Sequence, residues 1–272
     1  MTPFGYRPSE CVLQVPHGST VALGERQELL IHTPLEDGSV STATYVAPAH
    51  CGDDLMDIKK RRGPNRVKET NGWLDYVGWY PPQGENNLRR FTSTYVVPQD
   101  PVNNQGDQVL FYFIGMQDND SPNAVNILQP VLTWGNGHKQ WYVQSWACCP
   151  SNITVSSPPL FGLTAGSTFQ GVISRQSPST WLIDSIFDGK HTTLNTQVGD
   201  YIYNWADITL EVYSVNTCND FAKGKAFFNS LVLLDQQGQT LTPQWENDSG
   251  NTLCGGSIAP ASANSYYIQH VY

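Results

Sequence analysis

Ala206-Asp207-Ile208-Thr209-Leu210-Glu211-Val212-Tyr213 alternates apolar and polar residues without a break. In an extended strand Ile208, Leu210 and Val212 share one face, while Asp207, Thr209, Glu211 and Tyr213 share the other. The same period recurs outward from it, in segments 91–97, 108–114, 124–134, 140–146, 168–175, 180–187, 201–213 and 226–234. Turn residues such as Asp188-Gly189 and Gln237-Gly238 separate them. No helical period of ordinary length interrupts the series. This predicts an all-β fold, an antiparallel two-sheet sandwich in which one curved sheet offers a concave face to a polymer.

Upstream, 11–16 and 28–32 read as short strands, Glu36-Asp37-Gly38 as a hairpin turn and 54–60 as a short helix. Lys59-Lys60-Arg61-Arg62-Gly63-Pro64-Asn65-Arg66-Val67-Lys68 then gathers six of the 15 basic residues. Such a run is a solvated linker or, in a sharper reading, a processing site. The chain therefore divides into an N-terminal extension, residues 1–70 with the basic linker at 59–68, and a β-sandwich over 71–272. The extension is either a few further strands on the sandwich or a pro-region covering its groove. Trp73 and Trp79, six residues apart, are expected on one strand face, packed against the main domain.

With 24 acidic and 15 basic residues the net charge is -9. From residue 91 onward the chain has five Lys or Arg against 13 Asp or Glu. Acid unfolding is driven partly by repulsion among the cations that remain once carboxylates are protonated, so this composition suits low pH. It disfavours nucleic acid as a partner, and no apolar run approaches the roughly 20 residues of a membrane span. The chain is expected to act as a monomer. Six cysteines without CxxC spacing, and sequons at Asn119, Asn152 and Asn247, indicate an oxidising compartment and secretion. Cys218 with Cys254 and Cys11 with Cys51 are the expected pairs. The opening Met1-Thr2-Pro3-Phe4-Gly5-Tyr6-Arg7 has no apolar signal segment.

HExxH, the G-x-S-x-G elbow, the P-loop and G-x-G-x-x-G are all missing, which disfavours zincin, serine-hydrolase and nucleotide chemistry. The six histidines have no metal-ligand spacing and read as surface or turn residues; no metal and no cofactor is expected. By strand parity Gln129 shares a face with Ile127, Val131 and Thr133, and Tyr142 shares one with Gln144 and Trp146. Taken alone, a mid-strand Gln or Glu is an ordinary solvated residue.

Five segments, in order, resemble those of the eqolisins, glutamic peptidases that act at acid pH on a lectin-like (concanavalin-like) β-sandwich. They are Phe91-Thr92-Ser93-Thr94-Tyr95-Val96-Val97-Pro98, Phe113-Ile114-Gly115-Met116-Gln117, Ile127-Leu128-Gln129, Leu163-Thr164-Ala165-Gly166-Ser167 and Ala206-Asp207-Ile208-Thr209-Leu210-Glu211-Val212-Tyr213. The resemblance spans about residues 88 to 260 and implies an acid endopeptidase acting on protein or peptide. Its catalytic Gln and Glu fall on Gln129 and Glu211. Glu211 would act as base and then acid, since a carboxylate near pKa 4.3 still accepts a proton where histidine is already charged. Gln129 would donate its amide to the oxyanion.

Substrate contacts are expected from Gln117, Asp118, Asp207 and Tyr213, with Tyr142, Trp146 and Trp134 lining the groove or packing the core. The chain departs from the family pattern at Phe113 and Gln117, and in Trp141-Tyr142-Val143-Gln144-Ser145-Trp146, which contains no Glu. These departures keep a second reading open, a lectin-like module that binds carbohydrate or peptide without chemistry. A carboxylate glycosidase is the weakest reading, because Asp207 and Glu211 lie roughly 13 Å apart along one strand, beyond the usual carboxylate spacing.

Overall fold

The alternation read from the sequence is realised as two sheets packed face to face. The computed structural model describes residues 1–52, 72–81, 88–118, 126–197, 201–247 and 253–271. The basic run, the expected helix at 54–60 and the sequon at Asn119 lie outside them. The first sheet comprises β1 (Val12–Gln14), β5 (Gly72–Trp79), β7 (Val109–Gln117), β8 (Ile127–Trp134), β9 (Trp141–Cys148), β10 (Thr154–Ser156), β11 (Leu160–Leu163), β15 (Trp205–Tyr213) and β18 (Glu246–Asn247). Its order is β1-β10-β9-β8-β7-β15-β5-β18, with β11 also beside β9.

The second sheet comprises β2 (Thr20–Leu23), β3 (Leu29–Pro34), β4 (Val40–Tyr45), β6 (Leu88–Val96), β12 (Thr168–Arg175), β13 (Trp181–Phe187), β14 (Lys190–Gln197), β16 (Gly224–Asp235), β17 (Thr240–Leu241), β19 (Ser257–Ser262) and β20 (Ser265–His270). Its order is β19-β20-β16-β6-β12-β13-β14-β2-β3-β4, with β17 beside β16. Leu110, Tyr112 and Ile114 from β7 and Ile208, Leu210 and Val212 from β15 share the inter-sheet core with Phe91, Tyr95, Phe169, Ile173 and Phe228 of the second sheet.

Several expectations are corrected. The sheets are mixed, because β1 joins β10 and β2 joins β14 by parallel pairing. Thus residues 1–52 contribute β1 to one sheet and β2, β3 and β4 to the other. β14 carries little apolar signal and is held by its hairpin with β13. Trp73 and Trp79 do not share a face. Glu211 stands opposite Trp73 while Leu210 stands opposite Asp75, so a bulge adds a residue to β5 and flips the faces beyond it. Trp79 enters the inter-sheet core and Trp73 packs against a second apolar cluster on the opposite face of the first sheet. His270 is not a surface histidine: its Nε2 lies 3.1 Å from Asp75, both side chains are buried, and its ring stacks on Phe221.

The expected disulfides, Cys11–Cys51 and Cys218–Cys254, are both present, and Cys148–Cys149 forms a third. Three disulfides fit an oxidising compartment. No helix among the described residues is long and apolar enough to cross a membrane.

Pro130 sits mid-strand in β8, where a missing N–H breaks the ladder. The second sheet repairs the gap. Tyr95 of β6 reaches across the core, its hydroxyl accepting from the Ile114 N–H (2.8 Å) and donating to the Pro130 carbonyl (2.9 Å). Burial holds this phenol well above the ordinary tyrosine value.

Candidate active site

The outward face of the first sheet is a grid set by strand register. One row holds Trp146, Gln129, Gly115, Asp207 and Gly78, contributed by β9, β8, β7, β15 and β5. The constant register of Phe113 with Val131 and Met116 with Leu128 sets Gly115 opposite Gln129. The next row holds Gln144, Val131, Phe113, Thr209 and Tyr76, and the one beyond it Tyr142, Thr133, Phe111, Glu211 and Trp73.

Gln129 and Asp207 are therefore two strands apart in the same row, about 10 Å between backbones. Gly115 between them has no side chain, and the Asp207 carboxylate leans into that space: a Cβ on Gly115 would stand 2.2 Å from Asp207 Oδ2. Asp207 Oδ1 accepts from Thr209 Oγ1 at 2.7 Å. Glu211 is two strands and four residues from Gln129, about 16 Å by the same spacings. Its Oε1 accepts a short hydrogen bond from the Tyr213 hydroxyl, at the far end of β15 from Asp207. By register Glu211 lies two rows from Gln129, whereas Asp207 shares its row.

Contrary to the ordinary reading of an outward strand face, this one is sealed from water. Gln129 and Asp207 are 0% exposed, Glu211 1% and Trp146 4%. Both amide atoms of Gln129 and the indole nitrogen of Trp146 are buried without a hydrogen-bond partner among the described residues. A buried orphan of this kind costs about 1–3 kcal/mol, so three neighbouring ones in one row mark a place prepared for something other than self-packing.

The remaining expected site residues fall differently. Gln117 lies on the groove face one row from Gln129, opposite Trp205 and Ile127. Tyr142 is on that face, and burial holds its phenol above the ordinary tyrosine value. Trp134 is not in the groove: strand parity sends it into the inter-sheet core, edge-on to Trp141 at 5.2 Å. Asp118 lies past the grid at the end of β7. Its backbone N–H donates to Asn126 and its carboxylate accepts from the Ile202 N–H, tying two chain segments together.

The sequence reading missed Gly115, whose signal was a glycine inside an otherwise apolar strand, a mark of close approach. It also missed Phe4, which nothing in its local pattern ties to this face.

No family model matches the chain, and no curated protein matches it in sequence. Among solved structures it is similar to scytalido-glutamic peptidase bound to a peptide-based transition-state analogue, with a TM-score of 0.54 and 12% identity over 74% of this chain and 99% of that one. It is similar to SCP-B, a member of the eqolisin family of peptidases bound to the tripeptide Ala-Ile-His, with a TM-score of 0.52 and 13% identity over 74% and 99% of the two chains. An alginate lyase from Pseudomonas aeruginosa superposes less well, at a TM-score of 0.42 and 14% identity over 78% and 100%. The fold is that of the glutamic peptidases. At these identities the likeness speaks for the fold alone.

Proposed function

We propose that the chain is an acid peptidase in which Gln129 and Asp207, facing each other across Gly115, are the reacting pair. The observation that carries this reading is the Asp207 carboxylate leaning over Gly115 toward an orphaned, fully buried Gln129 amide. The peptidase sandwich supports the reaction class, and the row supplies its parts. Asp207 takes a proton from water as the water oxygen attacks the scissile carbonyl. Gln129 Nε2 donates to the oxyanion that forms, a contribution of about 3 kcal/mol. The protonated Asp207 then gives its proton to the leaving amine as the C–N bond breaks. An aspartate serves at acid pH, since its ordinary pKa is about 3.9. Glu211, the base expected from the sequence, is in this reading a wall of the groove held by Tyr213.

The test incubates purified chain with a denatured protein from pH 2 to 7 and follows the fragments by mass spectrometry. Asp207→Asn is expected to abolish cleavage, Gln129→Ala to lower kcat by about 10²–10³, and Glu211→Gln to keep it within about tenfold. Loss in Glu211→Gln with retention in Asp207→Asn would return the base to Glu211. Wild-type rates in all three would remove the site from the groove. The lectin-like alternative predicts peptide or glycan binding with no cleavage at any pH.

A further inference from the structure

The segment ahead of the first strand lies on the candidate groove. Thr2, Pro3, Phe4 and Gly5 are buried, Phe4 completely. Thr2 and Gly5 exchange both backbone hydrogen bonds at 3.0 Å, closing a turn in which Gly5 holds a φ of 104° that favours glycine. The Thr2 hydroxyl donates to the Gly5 carbonyl as well. Phe4, presented by this turn, belongs to one apolar cluster with Phe111, Phe113, Val131 and Trp146. These four are groove-face members of the three rows, and Trp146 stands directly opposite Gln129.

Both ends of the segment are fastened. Asn136, in the turn after β8, donates to the Met1 carbonyl at 3.1 Å, and buried Arg7 donates to the carbonyls of Cys51 and Asn152 at 3.0 and 2.6 Å. An outward sheet face is dry only where another layer covers it. Here the turn is part of that layer.

We propose that this turn is a ligand of the groove in cis. Phe4 fills the seat for an aromatic or large aliphatic residue of a peptide substrate, and the turn must leave before a peptide can reach Gln129. The proposal rests on reading this face as a peptide groove. It narrows the removable part of the extension to the first few residues, since β1 to β4 are built into the two sheets.

The experiment compares the full chain with Phe4→Asp and with Phe4→Ala, which empties the seat without adding charge. The probe is a labelled peptide, Thr-Pro-Phe-Gly-Tyr-Arg, whose binding is read by fluorescence anisotropy. A control peptide carries Asp in place of Phe. At least tenfold tighter binding by the variants than by the wild type, lost in the control peptide, is expected. Equal binding by wild type and variants, or binding indifferent to the peptide's own Phe, would overturn the proposal. So would failure of both variants to fold, which would make the turn part of the fold rather than its ligand. Because this readout needs no cleavage, variants that bind but never cleave retire the peptidase and keep the turn as ligand. Cleavage equal in all three chains, without Phe-dependent binding, does the reverse.

Discussion

Gly115 shows how much of this site depends on an atom left out. Its Cβ would fall 2.2 Å from Asp207 Oδ2, well inside contact distance, and its backbone needs no glycine-only conformation. The substitution therefore acts through space. Gly115→Ala is expected to force the carboxylate aside and lower kcat/KM by at least about 100-fold, while the overpacked site costs about 1–3 kcal/mol of stability. Activity within threefold of wild type, with the fold verified by circular dichroism, would show that Asp207 does not work from its place over Gly115. At this scale the sequence placed Gln129, Asp207 and Glu211 mid-strand, and the family resemblance paired Gln129 with Glu211, but strand pattern alone could not set their neighbours. Strand parity assigns a face; only pairing register assigns a neighbour.

At the scale of elements, the centre of the first sheet depends on a repair. Pro130 interrupts β8 beside Gln129, and the Tyr95 hydroxyl bridges the gap between the Ile114 N–H and the Pro130 carbonyl. Tyr95→Phe removes the bridge and leaves two backbone groups unpaired in the core. We expect a loss of about 2–4 kcal/mol in denaturant unfolding. A loss under 0.5 kcal/mol would mean that the ladder closes without the hydroxyl. Most strands were legible from alternation, β7, β8, β9 and β15 among them. The exceptions have physical causes. Polar β14 is held by its partner rather than its own pattern, and the bulge in β5 shifts a face that simple alternation would have kept. The parallel seating of β1 and β2 is a long-range choice with no local signature.

For the whole molecule, tolerance of acid is expected from the few Lys and Arg residues on 91–272, while the carboxyl of Asp220 supplies stability that acid removes. Burial pushes Asp220 up, but hydrogen bonds from Asn103 and from the Asn216 and Thr217 N–H groups outweigh it and hold its carboxyl below the ordinary value. A carboxylate depressed on folding adds stability above its unfolded pKa of about 3.9, and that stability is lost as pH falls through the lower folded value. Asp220→Asn should therefore cost about 2 kcal/mol at pH 6 and progressively less as the pH falls through the lowered folded value. A cost independent of pH in unfolding experiments would show that the ionised form is not what matters. The three disulfides act on the same stability at every pH, by limiting the unfolded chain.

By itself the sequence determined the all-β sandwich, the faces of the central strands and the placing of a glutamine and two carboxylates mid-strand. These follow from a two-residue period and from composition, which are properties of short stretches of chain. The tertiary structure alone decided that Asp207 shares a strand row with Gln129 while Glu211 lies two rows away, that Trp134 belongs to the core, and that Phe4 joins the apolar cluster of the groove face. Each of those depends on pairing register, on a bulge or on a segment more than a hundred residues away along the chain, and no local pattern carries that information.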